Sequence, residues 1–157
     1  MSGVRERALS LFREALEAEN ARNLEEAKRK LDDIMRLTRK DEPELYFEAC
    51  FRMADVFIQE DNYRGAVKFA IRGIYLAPSE ELRKFGIRRL GDILTILKSE
   101  NRLQELAENM EPILTLVRDD EELHAFVTAL VKLARGEEVK TEIFSDEFER
   151  ILEELKG

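Results

Sequence analysis

The sequence predicts an all-α fold, an array of antiparallel helical hairpins with about eight helices. Three observations predict it. Apolar residues recur at three- and four-residue spacing along nearly the whole chain, and strand-like alternation is almost absent. An apolar content of 44% is combined with a charged content of 38%, the balance of helices that bury one stripe and solvate the rest. Residues 47–80, FEACFRMADVFIQEDNYRGAVKFAIRGIYLAPSE, read as one helix-turn-helix unit of 34 residues. Its small residues, Ala54 and Ala66, fall where the two helices must touch, and Pro78 closes it.

Taken in order, Leu9, Phe12 and Leu16, then Leu24, Ala27, Leu31, Ile34 and Met35, give two amphipathic stripes broken at residues 20–23. They predict helices over 4–20 and 23–39. Asp41, Pro43 and Glu44 form a start signal with Asp41 as the cap and Pro43 in the first turn, so a third helix spans 42–60. Asp61 and Asn62 break the chain before a fourth helix over 63–76. Pro78 and Ser79 then end that helix and cap a fifth over 80–98. A sixth helix follows from 102, with a bend or break near Glu111 because Pro112 lies inside its stripe. Asp119 and Asp120 cap a seventh helix that Gly136 ends. Residues 137–143 are the linker candidate, and Ser145 caps a final helix carrying Phe148, Ile151, Leu152 and Leu155, with Phe144 ahead of it.

The 157 residues fit a single domain able to bury roughly two thirds of the surface of its unfolded chain. A net charge of −8 repels phosphate backbones and anionic lipid heads, and the basic runs at 28–30 and 36–40 are flanked by acids at helical spacing. Neither nucleic acid nor a membrane surface is therefore an expected partner. A lone cysteine, Cys50, excludes an internal disulfide. With no signal-peptide core and no long apolar run, the expected compartment is the cytoplasm. Abundant Glu, Lys and Arg beside two Gln and one Cys point to a thermophilic source.

The unit at 47–80 matches its neighbours. Upstream, residues 8–41 place Ala15 and Ala27 at the two crossing positions. Downstream, Leu90, Gly91 and Leu94 stand where Met53, Ala54 and Phe57 stood, and Leu103, Leu106, Met110 and Ile113 continue in the style of a second helix. The pattern resembles the tetratricopeptide repeat: three units over 8–117, best at 47–80, followed by a helical cap over 119–157. The central unit departs from the family at Cys50, where a large aromatic is usual, and at Gly73, where Ala is usual; both are expected to loosen packing. A generic array of helical hairpins is the alternative.

The resemblance implies a right-handed superhelix whose first helices line a concave groove that binds peptides or partner helices. In that register Arg13, Arg52 and Arg89 face the groove, a ladder suited to carboxylates because the guanidinium fork makes paired, charge-assisted bonds. The competing expectation is local pairing at helical spacing: Arg13 with Glu17, Arg52 with Glu48 or Asp55, Arg89 with Asp92. Phe12 and Leu16 stand where the family's clamp for carboxylate tails has Lys and Asn, so that clamp is not expected. Leu9, Phe12 and Leu16 form an apolar patch on the same wall, to be covered by the final helix, a second copy or an external helix, unless they are simply core.

Signals for catalysis are poor. His124 has no second histidine to join it in a metal site or triad, Cys50 sits on an apolar stripe, and the glycines are too scattered for a phosphate loop. No cofactor or metal is expected. The expected function is a non-enzymatic adaptor binding an acidic protein or peptide segment. The alternative is a structural subunit or homodimer that uses the groove and final helix for self-assembly.

Overall fold

The computed structural model describes residues 3–140 and 144–157; residues 141–143 of the expected linker lie outside them. Among the described residues the chain is all-helical. Eight α-helices run in order: α1 Gly3–Asn20, α2 Leu24–Thr38, α3 Pro43–Gln59, α4 Tyr63–Tyr75, α5 Glu80–Ser99, α6 Glu111–Leu116, α7 Glu121–Ala134 and α8 Asp146–Lys156. A 3-10 turn at Leu103–Leu106 lies between α5 and α6. Consecutive helices from α1 to α5 pack on one another as an array of hairpins.

One reversal recurs. Arg22, Asp61 and Asn101, each about 40 residues after the last, hold a left-handed backbone with φ near 60°. At each, the next amide reaches back to the last turn of the preceding helix: Asn23 N–H to Ala18 O, Asn62 N–H to Phe57 O and Arg102 N–H to Leu97 O, all at 2.8 Å. This satisfies carbonyls that the helix end would otherwise leave bare. Asn23 and Asn62 then cap the following helices by accepting from the amides of Glu26 and Gly65. The third reversal carries Arg102 where the first two carry Asn, and its following segment has no side-chain cap. Arg102 ties the third turn to the second instead, through Asp61 and across the Tyr63 ring at 4.8 Å, while Glu105 of its own segment holds the guanidinium in place.

The other boundaries follow local chemistry. Asp120 and Ser79 cap α7 and α5 with their side chains. Gly136, at φ 79°, ends α7. The cap of α3 is Glu42 rather than Asp41: Pro43 occupies the first turn, which fixes the cap one residue before it, and no side-chain bond is made there. Ser145 stands at the start of α8 without a side-chain capping bond, and its amide donates to Glu122 Oε2 at 2.8 Å.

The sixth helix is the main departure. Leu106, Met110 and Ile113 are buried as their spacing predicts, yet they sit on a 3-10 turn, a bend and a new helix. Asn109 adopts φ 63°, and α6 begins at Glu111, which moves Pro112 into a first turn where its missing N–H costs nothing. The break therefore precedes the proline.

The core has two parts that meet on α3. Tyr46, Cys50 and Met53 pack with α1 and α2, while Phe47 and Phe51 join a larger cluster reaching from α4 to α8. Ala54 and Ala66 are wholly buried. Gly73 does not loosen the hairpin: a Cβ there would lie 2.8 Å from Phe51 Cε2, so the Phe51 ring fills the space an alanine would need. The aromatic absent at Cys50 is supplied by its neighbours, with the Phe47 and Phe51 rings 4.9 Å apart.

The first helices run parallel, side by side. Arg5 bonds Glu42 at one end of the α1–α3 pair, and Gln59 donates to Glu19 at the other. Helix α8 stands beside α5 in the same sense. Lys84 meets Glu147 near their N-terminal ends, and Lys98 donates to the carbonyls of Glu154 and Leu155 at their C-terminal ends. It thus takes the place that a further unit's first helix would occupy, and buries Phe148, Ile151, Leu152 and Leu155 within its own chain.

Two substitutions test this packing. Ala54→Leu and Gly73→Ala should each lower stability by ~1–3 kcal/mol through overpacking, read from denaturant midpoints at unchanged slope. Midpoints equal to that of the natural chain would rule out close approach at both positions.

Candidate functional site

The face built by α1, α3 and α5 on the side away from α2 and α4 gathers the residues that the sequence singled out. On α1, Leu9 and Leu16 are 45% and 46% exposed, so they are not core; Phe12 is half-buried against the first core cluster. On α5 the same phase presents Phe85 and Ile96, both exposed. Between them α3 offers a polar strip of Glu48, Arg52, Asp55 and Gln59, because its remaining circumference is spent on the two halves of the core.

Arg13, Arg52 and Arg89 fall on this side of three successive parallel helices, but they are not equivalent. Arg13 is exposed and has no ion-pair partner among the described residues; the expected bond to Glu17 is absent. Arg52 pairs within its helix, Nε to Glu48 Oε2 at 2.8 Å. Arg89 reaches across to Asp55 on α3 at 2.9 Å, rather than along its own helix to Asp92, and its guanidinium lies 5.7 Å from the centre of the Phe51 ring. The Phe51 contact and the parallel neighbour explain the choice: Asp55 lies on the helix that Arg89 already packs against. Solvent screens such half-exposed pairs, so they contribute little to folding and leave the charges available to a ligand.

Charge is segregated. Residues 119–157 hold twelve Asp and Glu against five Lys and Arg, nearly the whole net charge of the chain. The inner face carries both signs, with Arg13, Arg52, Arg88 and Arg89 beside Glu6, Glu17, Glu48, Asp55 and Asp92.

The final helix does not cover the Leu9, Phe12 and Leu16 patch, since α8 docks on α5 and α7 at the other end of the array. Its docking opens a cleft of about 460 Å³ that continues the inner face beyond α5, lined by Arg88, Gly91, Asp92, Thr95, Arg150 and Ile151 among others. Sequence reasoning missed this cleft. Gly91 is its signal: it reads as the residue where the third hairpin crosses, but a Cβ there would come 3.1 Å from Ile151 Cγ1, so the glycine admits α8 instead.

The groups suited to chemistry are dispersed. The Cys50 thiol is wholly buried, and burial pushes its pKa up to about 12 against a smaller opposing pull from Arg72. Burial likewise raises the Tyr46 hydroxyl. His124 is half-buried on α7 beside Thr128, Lys132 and Phe144. Among the described residues, no three His, Cys, Asp or Glu side chains are grouped so as to hold a metal ion. None of the described helices is long and apolar enough to cross a membrane. No protein-family model, no curated protein and no solved structure matches the chain.

The thiol gives a direct check on this environment. Cys50 should resist iodoacetamide in the folded protein at mildly alkaline pH, having on the order of a thousandfold less thiolate than a free cysteine, and should react fully in denaturant. Intact-mass labelling at the same rate with and without denaturant would contradict the burial described.

Proposed function

We propose that this chain is a non-enzymatic protein-interaction module, a helical-repeat adaptor of the tetratricopeptide kind, and that its inner face receives an acidic, amphipathic segment of another protein. The observation that carries the proposal is the inner face itself. It joins exposed Leu9 and Leu16, exposed Phe85 and Ile96, and arginines from three successive helices, Arg13, Arg52 and Arg89. A helix or extended peptide laid across α1, α3 and α5 would cover the four apolar side chains that water covers poorly. Its carboxylates would meet Arg13, which has no ion-pair partner among the described residues, and compete for Arg52 and Arg89, whose present partners are exposed carboxylates.

Nucleic acid and membrane lipid are not part of this reading, because the acidic mean field opposes both. The dispersal of His124, Cys50 and the carboxylates supports a binding role over a catalytic one, and the cytoplasm is the compartment proposed.

A displayed library of helical peptides, selected against the full chain, tests the proposal. The winners should be acidic and amphipathic, and Arg13→Glu with Arg89→Glu should weaken them by about 1–3 kcal/mol, roughly 5- to 150-fold. Reversal at Arg29 on α2, away from the inner face, should leave binding unchanged. Winners without acidic residues, or equal loss from the Arg29 reversal, would overturn it.

A further inference from the structure

Helix α4 carries three cations and no carboxylate. Arg64, Lys68 and Arg72 recur at four-residue spacing, which sets consecutive side chains about 5–6 Å apart along the helix. Elsewhere on this acidic chain cations find carboxylates, as Lys28, Lys30, Arg83 and Arg102 do. Arg64, Lys68 and Arg72 form no ion pair among the described residues, and neither does Arg39 at the end of α2.

What holds these cations is neutral. Arg64 Nε donates to the backbone carbonyl of Glu105 at 2.8 Å. The Arg72 guanidinium lies 5.8 Å from the centre of the Phe69 ring and beside the buried hydroxyl of Tyr46. Burial raises the pKa of that hydroxyl, while Arg72 and, more weakly, Arg39 pull against it, so both guanidinium groups act on one atom. Burial, and then the like charge of Arg64 one turn earlier, holds the Lys68 ammonium below its ordinary range, and no carboxylate offsets them. The carboxylates nearby are engaged elsewhere: Asp32 by Arg36, Glu105 by Arg102, and Asp119 by the Tyr75 hydroxyl at 2.6 Å. Glu108 and Glu111, exposed on the following segment, form no ion pair with α4. A half-buried cation without a counter-charge carries a desolvation cost that nothing in this fold offsets. A guanidinium already steadied by a ring and a hydroxyl loses little freedom when an anion arrives.

We infer that Lys68 and Arg72, with Arg39 at their side, form a binding site for a phosphate monoester group. Two cations one helical turn apart match a group of charge about −1.5 to −2 better than they match a single carboxylate. The Arg72 fork can bond two phosphoryl oxygens at once, and the Lys68 ammonium can meet the third. The site lies on the side of the array away from the inner face, so it stands whether or not an acidic segment binds there.

Nuclear magnetic resonance titration of the full chain at fixed ionic strength tests the site, with a neutral peptide carrying one phosphoserine as the probe. Saturable shifts should concentrate on the amides of residues 68–73, and the unphosphorylated peptide should cause none. Lys68→Gln should weaken the phosphopeptide about tenfold, the loss of one charged hydrogen bond, and Arg72→Gln should weaken it at least as much. Arg52→Gln on the inner face should leave it unchanged. Inorganic phosphate is the second probe, and shifts at the same amides support the site in either case. Affinity comparable to that of the peptide assigns it to small phosphate compounds, and much weaker affinity assigns it to a phosphorylated protein segment. Three results would each overturn the inference. They are no shift at these amides with millimolar phosphopeptide, equal binding of the same peptide with glutamate in place of phosphoserine, and undiminished binding by a folded Lys68→Gln chain.

Discussion

The architecture depends on the chain reversing its direction in very few residues without leaving helix ends unsatisfied. Three times it does so through a single left-handed residue, and none of the three is glycine. For Asp61 and Asn101 the penalty is modest, because a short polar side chain tolerates that backbone; for Arg22 it is of order 1 kcal/mol. What offsets it is the return of the following amide to a carbonyl near the helix end, and, in the first two hairpins, an asparagine whose side chain starts the next helix. Tight reversals bring adjacent helices close along their length, so small residues become necessary at the crossings and one long apolar stripe on each helix is enough. The second and third turns are also bound to one another through Arg102, whose pKa is raised chiefly by Glu105 and then by Asp61. The guanidinium thus serves as a fixed cross-tie at the edge of the array.

Periodicity made the helices legible because each buries a single stripe, and the stop signals at Asp61, Pro78 and Gly136 act through local backbone chemistry. The same periodicity misled after residue 102. Leu103, Leu106, Met110 and Ile113 keep helical spacing because they all face one core, but a shared core does not require a shared helix, and Asn109 and Pro112 divide them. Small residues were legible as sites of close approach but not as to which partner approaches. Gly73 accommodates the Phe51 ring and Gly91 accommodates Ile151, contacts decided by tertiary geometry alone. On the inner face the sequence could place Arg13, Arg52 and Arg89 on one side of three helices through phase. It could not foresee that Arg89 would prefer a carboxylate on the neighbouring helix, because that choice depends on the lateral spacing of α3 and α5.

Ion pairs recur over the surface. Away from the inner face, cation and carboxylate pairs such as Lys30 with Glu14 and Lys28 with Glu60 link neighbouring helices, and the carboxyl of Glu14 is held below its ordinary range by Lys30. A carboxyl so depressed adds stability that is present at neutral pH and fades as the pH falls through its folded value. These pairs belong to the frame. On the inner face the arginines are left single or joined to carboxylates that water also reaches, and exposed leucines stand beside them.

The fracture at residues 107–110 has a consequence for size. A stack of hairpins grows without limit as long as every hairpin hands the next the same pair of faces. The third hairpin cannot do this, because its second arm is split and redirected. Helix α7 then enters with its N-terminal end tied to that of α5 through Arg83 and Asp120. With α7 turned to that direction, the lateral place beside α5 is taken by the eleven-residue α8. The regular stacking of hairpins is therefore interrupted by the geometry of α6 and α7. A copy of the central unit placed beside α5 would have to displace α8 first.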